Sequence, residues 1–251
     1  MHRKMAESYL GWWRDAGLDV LSTEESRNWL KQGDGQAAPA REPESGEGTK
    51  LPAVKRPQPA TPQAKLLEPE KWPKTLDELK QAVAAKAPLP GNHYGGAPVI
   101  LLGDAGAKCL AIGDIPEKEE VDAGVFGAGP AGTLIQRMMQ AVGLSQAEYA
   151  QAALATTRPA TGALPEDDHA LLSAFTGHLL GLIQPELVII FGSAACQALL
   201  GAELMKARGN LHFINHNVQK VATITTFHPR TLLARPQMKA QAWKDLQVLI
   251  K

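Results

Sequence analysis

The chain has 251 residues, 44% of them hydrophobic and 21% charged, with a formal net charge of zero at neutral pH. This is enough for one well-sized globular domain with appendages. The two cysteines, Cys109 and Cys196, each lie inside an apolar run, which argues against a disulfide framework and favours a reducing cytoplasm. Residues 1–21 lack a signal-peptide core, and no stretch approaches the roughly 20 apolar residues that span a bilayer, so we expect a cytoplasmic protein without a membrane anchor.

Residues 1–31 form a short aromatic tail with helical periodicity. Leu10, Trp13 and Leu18 fall on one face of the helix that the pattern predicts. Trp12 and Trp13 add a large apolar surface to a short segment. We therefore expect Trp12, Trp13 and Leu18 to contact a partner.

Residues 32–72 are dominated by Pro, Ala, Gly, Glu and Lys. Seven prolines between Pro39 and Pro69 oppose regular structure. This composition predicts a disordered linker between the tail and the domain that follows.

Residues 73–251 alternate helical and strand patterns, which predicts an α/β layer fold with a mostly parallel sheet. Thr75 is a candidate N-cap, with acidic residues in the first turn of a helix that extends to Ala85. Apolar runs predict buried strands at Val99–Leu102, Cys109–Ile112, Leu187–Phe191 and Val221–Thr226. Further helices are predicted at Ala131–Val142, Asp167–Ile183, Ala194–Leu200 and Gln237–Leu249.

The segment from Thr226 to Leu246 pairs His-Pro at a strand end with a basic helix that ends in Trp-Lys-Asp-Leu. It resembles the last motif of the uracil-DNA glycosylase superfamily, especially the iron-sulfur family 4 type. In that family the His stabilises negative charge on the departing base, and residues after the Pro wedge into the gap left by a flipped base. The resemblance implies a catalytic His228, with Pro229, Leu232 and Leu233 near the base. Core packing is the alternative role for one of the two leucines.

Charge is distributed unevenly along this domain. Residues 73–205 hold seven Lys or Arg against fourteen Asp or Glu, whereas residues 206–251 hold eight against one. A basic segment next to the His-Pro motif is what a phosphate-tracking surface requires, although a solvated helix face would give the same pattern. The candidate phosphate contacts are Arg230, Arg235, Lys239 and Lys244.

Four other segments resemble the same family over most of the domain. They are Leu76–Ala85, Gln184–Gly192, Ala195–Gly201 and the pair Arg208-Gly209. The resemblance implies a three-layer α/β sandwich with a central, mostly parallel sheet.

The family's iron-sulfur ligands are absent. Such a cluster is held by four thiolates, and the aligned positions here are Ala84, Ala87, Thr157 and about Leu172. We therefore expect neither a cluster nor any other cofactor.

The family's first catalytic loop aligns with residues 113–122, which read Gly-Asp-Ile-Pro-Glu-Lys-Glu-Glu-Val-Asp. Asp114 and Glu120 fall at acidic positions that orient or activate water, and Pro116 is retained beside the substrate. Glu117 replaces a Gly that lets the backbone approach the ligand, so a changed loop shape is expected. A solvated acidic loop is the alternative interpretation.

Two base-recognition positions also differ. Gly127 stands where the family stacks an aromatic residue on the base, although Phe126 is adjacent and is the candidate replacement. Ala153 stands where an Asn pairs with the base amide. Loss of that amide argues against strict uracil specificity.

Two functional hypotheses follow. The first is a divergent, metal-free DNA glycosylase that hydrolyses the N-glycosidic bond of a flipped, deaminated base in base-excision repair. The second is a catalytically silent glycosylase-fold adaptor in DNA replication or repair. The pattern Trp13-x-x-x-Gly17-Leu18 resembles the clamp-loader-binding peptide of the psi subunit of bacterial DNA polymerase III. A tail on a long linker is suited to tethering a replication or repair protein.

Overall fold

A computed structural model of the protein describes residues 66–216 and 219–249. The predicted aromatic tail, with Trp12, Trp13 and Leu18, lies outside the described residues, as does most of the predicted linker. None of the helices in the described part is long and apolar enough to cross a membrane.

Eight α-helices and five strands are formed by the described residues. The helices are α1 (Leu76–Ala84), α2 (Lys118–Ala123), α3 (Gly129–Ala141), α4 (His169–Ile183), α5 (Ser193–Leu200), α6 (Leu204–Ala207), α7 (Pro229–Ala234) and α8 (Lys239–Leu246). The strands are β1 (Cys109–Gly113), β2 (Tyr149–Ala153), β3 (Leu187–Phe191), β4 (His212–His216) and β5 (Gln219–Thr226).

The strands form one sheet in the order β2-β1-β3-β5-β4. β1, β2, β3 and β5 are parallel, and only the edge strand β4 runs antiparallel to its neighbour β5. The central strand β3 buries Val188, Ile189 and Ile190 completely, as expected for a parallel strand covered on both faces. Helices flank this sheet: α4 packs against α1 and α5, and α3 packs against α7. The predicted α/β fold with a mostly parallel sheet is confirmed.

The start of α1 illustrates how local sequence determines an element boundary. The backbone N–H of Glu78 donates to Thr75 Oγ1 at 3.2 Å, and the Glu78 carboxylate accepts from the Thr75 N–H at 3.3 Å. This reciprocal capping box satisfies two backbone donors that a helix start leaves free. The prediction that Thr75 is the N-cap of this helix is confirmed.

One predicted strand is wrong. Residues 99–102 form only isolated bridges, from Ile100 to Val125 and from Leu102 to Gln151. The two bridges join different segments, so no continuous ladder develops, and Gly103 turns the chain away with φ of +96°. Conversely, β2 is not among the predicted strands, because alanine has a low strand propensity and β2 reads Tyr-Ala-Gln-Ala-Ala.

The last predicted helix, Gln237–Leu249, is also divided. Its central part forms α8, and short 3₁₀ turns at Pro236–Met238 and Gln247–Leu249 flank it. The other predicted helices and strands are found, with boundaries that differ by a few residues.

Parallel pairing brings the carboxyl ends of four strands to one edge of the sheet. Gly113 at the end of β1 pairs with Ala153 at the end of β2, and Phe191 at the end of β3 pairs with Thr226 at the end of β5. Residues that follow these positions converge at one edge, which is where open α/β sheets bind their ligands.

Candidate active site

His228 follows β5 and is the N-cap of α7, with Pro229 at the first helical position. The backbone N–H of Arg230 donates to His228 Nδ1 at 3.3 Å. An acceptor nitrogen carries no proton, so the neutral ring has its proton on Nε2. The helix start therefore determines both the orientation and the tautomer of the imidazole.

Two glycines make room for this ring at the ends of the neighbouring strands. A Cβ atom on Gly113 would lie 3.2 Å from His228 Nε2, and one on Gly192 would lie 3.2 Å from His228 Cβ. Gly192 also has φ of +97°, a conformation that other residues rarely adopt. The two glycines therefore leave space for the His228 side chain between the ends of β1 and β3.

Charged side chains surround His228 in what we call the acid–base cluster: Asp114, Glu117, Arg158, His228 and Arg230. Asp114 Oδ1 lies 3.6 Å from His228 Nε2, and Glu117 Oε1 lies 3.5 Å from His228 Nδ1. Arg230 joins the two acids, since it pairs with Asp114 and its Nη1 lies 3.2 Å from Glu117 Oε1. Arg158 donates to the carbonyl oxygen of Pro116 and approaches Glu117 Oε2 at 4.0 Å.

The electrostatics of the cluster keep the imidazole neutral. Burial lowers the pKa of His228 to about 4, and the positive charge of Arg230 acts in the same direction. Burial raises the pKa of Glu117, whereas Arg230 and Arg158 oppose that rise. At neutral pH the ring can stabilise a nearby anion only through the hydrogen bond of its Nε2–H group, as a neutral donor.

Glu120 is almost completely buried and holds the loop together. Its Oε1 accepts from the Gly127 N–H at 2.9 Å and from Gln151 Nε2 at 3.0 Å, and its Oε2 accepts from the Glu117 N–H at 2.9 Å. Burial raises the pKa of this carboxyl group. The Glu120 carboxylate is engaged in these three contacts, which orient the loop. Asp114 is therefore the remaining candidate for an acid that binds water beside His228.

A small cavity lies between these groups, with a volume of about 20 Å³. Its walls include Glu117, Glu120, Phe126, Gln151, Phe191 and His228. Such a volume is sufficient for a single water molecule. A ligand as large as a nucleobase would fit only after side chains such as Glu117 or Phe126 move.

Of the other predicted residues near the base, Pro116 and Pro229 are buried beside the acid–base cluster. Leu232 is completely buried in the core, whereas Leu233 is 42% exposed. The core-packing alternative therefore applies to Leu232. Leu233 is the leucine that is accessible at the surface.

The predicted phosphate contacts are also unequal. Arg235 and Lys244 are exposed. Lys239 is buried, and burial lowers its pKa, with a further contribution from the charge of Arg137. Arg230 is partly exposed but is paired with both acids of the cluster.

The positions that align with iron-sulfur ligands carry no thiolates, and two of them, Ala87 and Thr157, are engaged in hydrogen bonds. Thr157 Oγ1 donates to the Gly91 carbonyl at 3.1 Å and accepts from the Tyr94 N–H at 3.2 Å, so it is already satisfied. Asn92 Nδ2 donates to the carbonyl of Ala87 at 2.8 Å. No group of three or more metal-ligating side chains is found in the described ranges. Hydrogen bonds, rather than thiolates, join these segments.

Three residues of this site were assigned no role from the sequence. Glu117 enters the motif comparison only as the replacement of a Gly, and neither Arg158 nor Gln151 falls at a position to which the motifs assign a role. The alternation of Gln151 with Ala153 places both on the same face of β2 and was the available signal.

This arrangement defines a class of protein: a three-layer α/β fold with a neutral imidazole and an acid at the carboxyl edge of a parallel sheet. The family model of the uracil DNA glycosylase superfamily matches residues 101–247. The chain belongs to this superfamily.

Curated relatives include the type-4 uracil-DNA glycosylases of two archaea. The Archaeoglobus fulgidus protein is 22% identical over 153 residues, which cover 58% of this chain and 77% of the relative. The Saccharolobus solfataricus protein is 27% identical over 154 residues, which cover 58% of this chain and 71% of the relative.

A titration tests the environment of His228. We expect NMR of its ring, assigned with the His228→Asn variant, to give a midpoint near pH 4 rather than the ordinary value of 6.5. Because the folded pKa is the lower one, the ring's contribution to stability is full above pH 6.5 and is lost as the pH falls toward 4. A midpoint at or above 6.5 would contradict the buried, neutral imidazole.

Proposed function

We propose that this protein is a divergent DNA glycosylase that hydrolyses the N-glycosidic bond of a deaminated base flipped out of DNA, as a step of base-excision repair. The observation that carries the proposal is the neutral His228, whose side chain lines a small cavity and whose Nε2 lies 3.6 Å from Asp114. Membership of the superfamily and the similarity to type-4 enzymes support the same chemistry at low identity.

The reaction breaks the bond between C1′ of the sugar and a ring nitrogen, and the base leaves with the bonding electrons. The resulting negative charge spreads onto a carbonyl oxygen, which accepts a hydrogen bond from His228 Nε2–H. A water molecule adds to C1′ and releases its proton to the departing base or to solvent. Asp114, 3.6 Å from His228 Nε2, is the acid that would orient this water.

DNA would approach along the surface that carries α7 and α8. The exposed side chain of Leu233 is the candidate wedge that fills the gap left by the flipped base. Arg235 and Lys244 are exposed and are the candidate phosphate contacts. Competition of a phosphate with the acids for Arg230 would release Glu117 and widen the cavity.

An excision assay tests the proposal. We expect abasic sites in oligonucleotides containing uracil, hypoxanthine or xanthine, detected as alkali-induced strand breaks. His228→Ala should lower the single-turnover rate by about 100-fold, the magnitude typical of losing one donor to a developing anion.

His169→Ala, which changes a histidine on α4, is the matched control and should retain the rate. If the full-length protein excises none of the three bases at high concentration, the enzyme proposal fails.

A second candidate function is supported by the closed cavity, whose acids are engaged in ion pairs and hydrogen bonds. A protein whose cavity is too small to admit a base would act as an adaptor without catalysis, with residues 1–31 binding a replication or repair protein. We expect the full-length chain to retain a clamp-loader subunit in a pull-down and Trp13→Ala to lose it. Equal retention by the wild-type chain and Trp13→Ala would exclude this role for the tail.

A further inference from the structure

We infer that Gln151 recognises the hydrogen-bonding edge of the flipped base. Its side-chain oxygen accepts a hydrogen bond from a ring N–H group that lies next to a carbonyl. The inference rests on the proposed glycosylase function and specifies which side chain selects the base. It differs from the expectation that strict uracil specificity is lost together with the Asn that aligns at Ala153.

Gln151 lies in the middle of β2 and is only 3% exposed. Its side chain lines the same cavity as His228, and Ala153, two residues further along the strand, lies on the same face and also lines that cavity. The side-chain amide of Gln151 therefore lies at the cavity, two residues before Ala153, the position that aligns with the Asn of the family.

One end of the Gln151 amide is paired and the other is not. Nε2 donates to Glu120 Oε1 at 3.0 Å. Oε1 is buried and has no hydrogen-bond partner among the described residues. Leaving a buried acceptor unpaired is destabilising by about 1–3 kcal/mol. A ligand that donates a hydrogen bond would satisfy this oxygen.

Glu120 determines which end of the amide is available. Its carboxylate accepts from two backbone N–H groups and from Gln151 Nε2, so both of its oxygens are engaged as acceptors. Rotation of the Gln151 amide by 180° would place oxygen against oxygen. The acceptor Oε1 is therefore the end that is held free for a substrate.

Deamination changes the group that such an acceptor would meet. Cytosine and adenine present an unprotonated ring nitrogen next to their amino group, whereas uracil and hypoxanthine present a ring N–H next to a carbonyl. Oε1 would accept from the deaminated bases and would face a second acceptor in the parent bases. This contact does not separate uracil from thymine, which differs by a methyl group.

The experiment measures discrimination rather than activity. Labelled oligonucleotides carry either 2′-fluoro-2′-deoxyuridine or 2′-fluoro-2′-deoxycytidine at one position, because the fluorine makes the glycosidic bond resistant to cleavage. The ratio of the two dissociation constants is determined for the full-length chain by fluorescence anisotropy. Wild type should bind the uracil form at least about tenfold more tightly, the value expected for one satisfied buried acceptor.

Two variants and a control assign this ratio to Gln151. Gln151→Met keeps a similar shape without hydrogen bonds and should bring the ratio close to one. Glu120→Gln removes the constraint on the Gln151 amide at nearly constant volume and should also lower the ratio. Gln140→Met changes an exposed glutamine on α3 and should leave it unchanged. Thermal unfolding confirms that each variant is folded.

The outcomes separate the two proposals. A wild-type ratio near one overturns the inference about Gln151 without any variant. A large wild-type ratio that persists in folded Gln151→Met also overturns it, while excision in the activity assay would leave the glycosylase proposal intact. A variant that weakens both oligonucleotides equally indicates a structural role for Gln151 and counts against recognition.

Discussion

Arg230 joins the two carboxylates on either side of His228, and the state of the site depends on this ion pair. Asp114 and Glu117 are both largely buried, so each would be destabilising without a positive partner. With Arg230 in place, Glu117 is held beside the imidazole and the cavity stays small. The same arrangement keeps His228 desolvated and neutral, which is the form suited to donating a hydrogen bond to a departing base.

The fold explains how these groups meet. Asp114 follows β1 and His228 follows β5, and parallel strands bring both ends to one edge of the sheet. Gly113 and Gly192 leave the space that the imidazole occupies. A second set of contacts, centred on Glu120, orients the loop and the Gln151 amide, which lines the same cavity. The proposed catalytic and recognition groups are thus positioned by two sets of contacts that meet at Glu117, whose backbone N–H donates to Glu120.

The sequence predicted the elements that have strong local signals. Apolar runs located β1, β3 and β5, and the His-Pro motif located His228 at the end of β5. The run at residues 99–102 was misleading because its pairing partners lie in two different segments. The strand β2 was missed because its burial comes from its neighbours rather than from its own alanine-rich sequence.

Much of the site was beyond sequence reasoning because it depends on contacts between distant residues. Arg230 was expected to meet phosphates, but it pairs with Asp114, 116 positions away. The role of Glu117 follows from that pairing and is invisible in the loop alone. The orientation of Gln151 likewise depends on Glu120, 31 positions away.

The most direct test of the account is removal of the Glu117 side chain. Glu117 is the N-cap of α2, a position at which Gly is well tolerated, and Glu117→Gly retains the backbone N–H that donates to Glu120. Without the Glu117 side chain we expect a larger cavity and a single-turnover rate of uracil excision raised by about tenfold or more, equivalent to about 1.4 kcal/mol in the barrier. Glu119→Gly, two positions away on the exposed face of α2, should not change the rate. An unchanged or lower rate in folded Glu117→Gly would contradict the claim that this ion-paired acid closes the site.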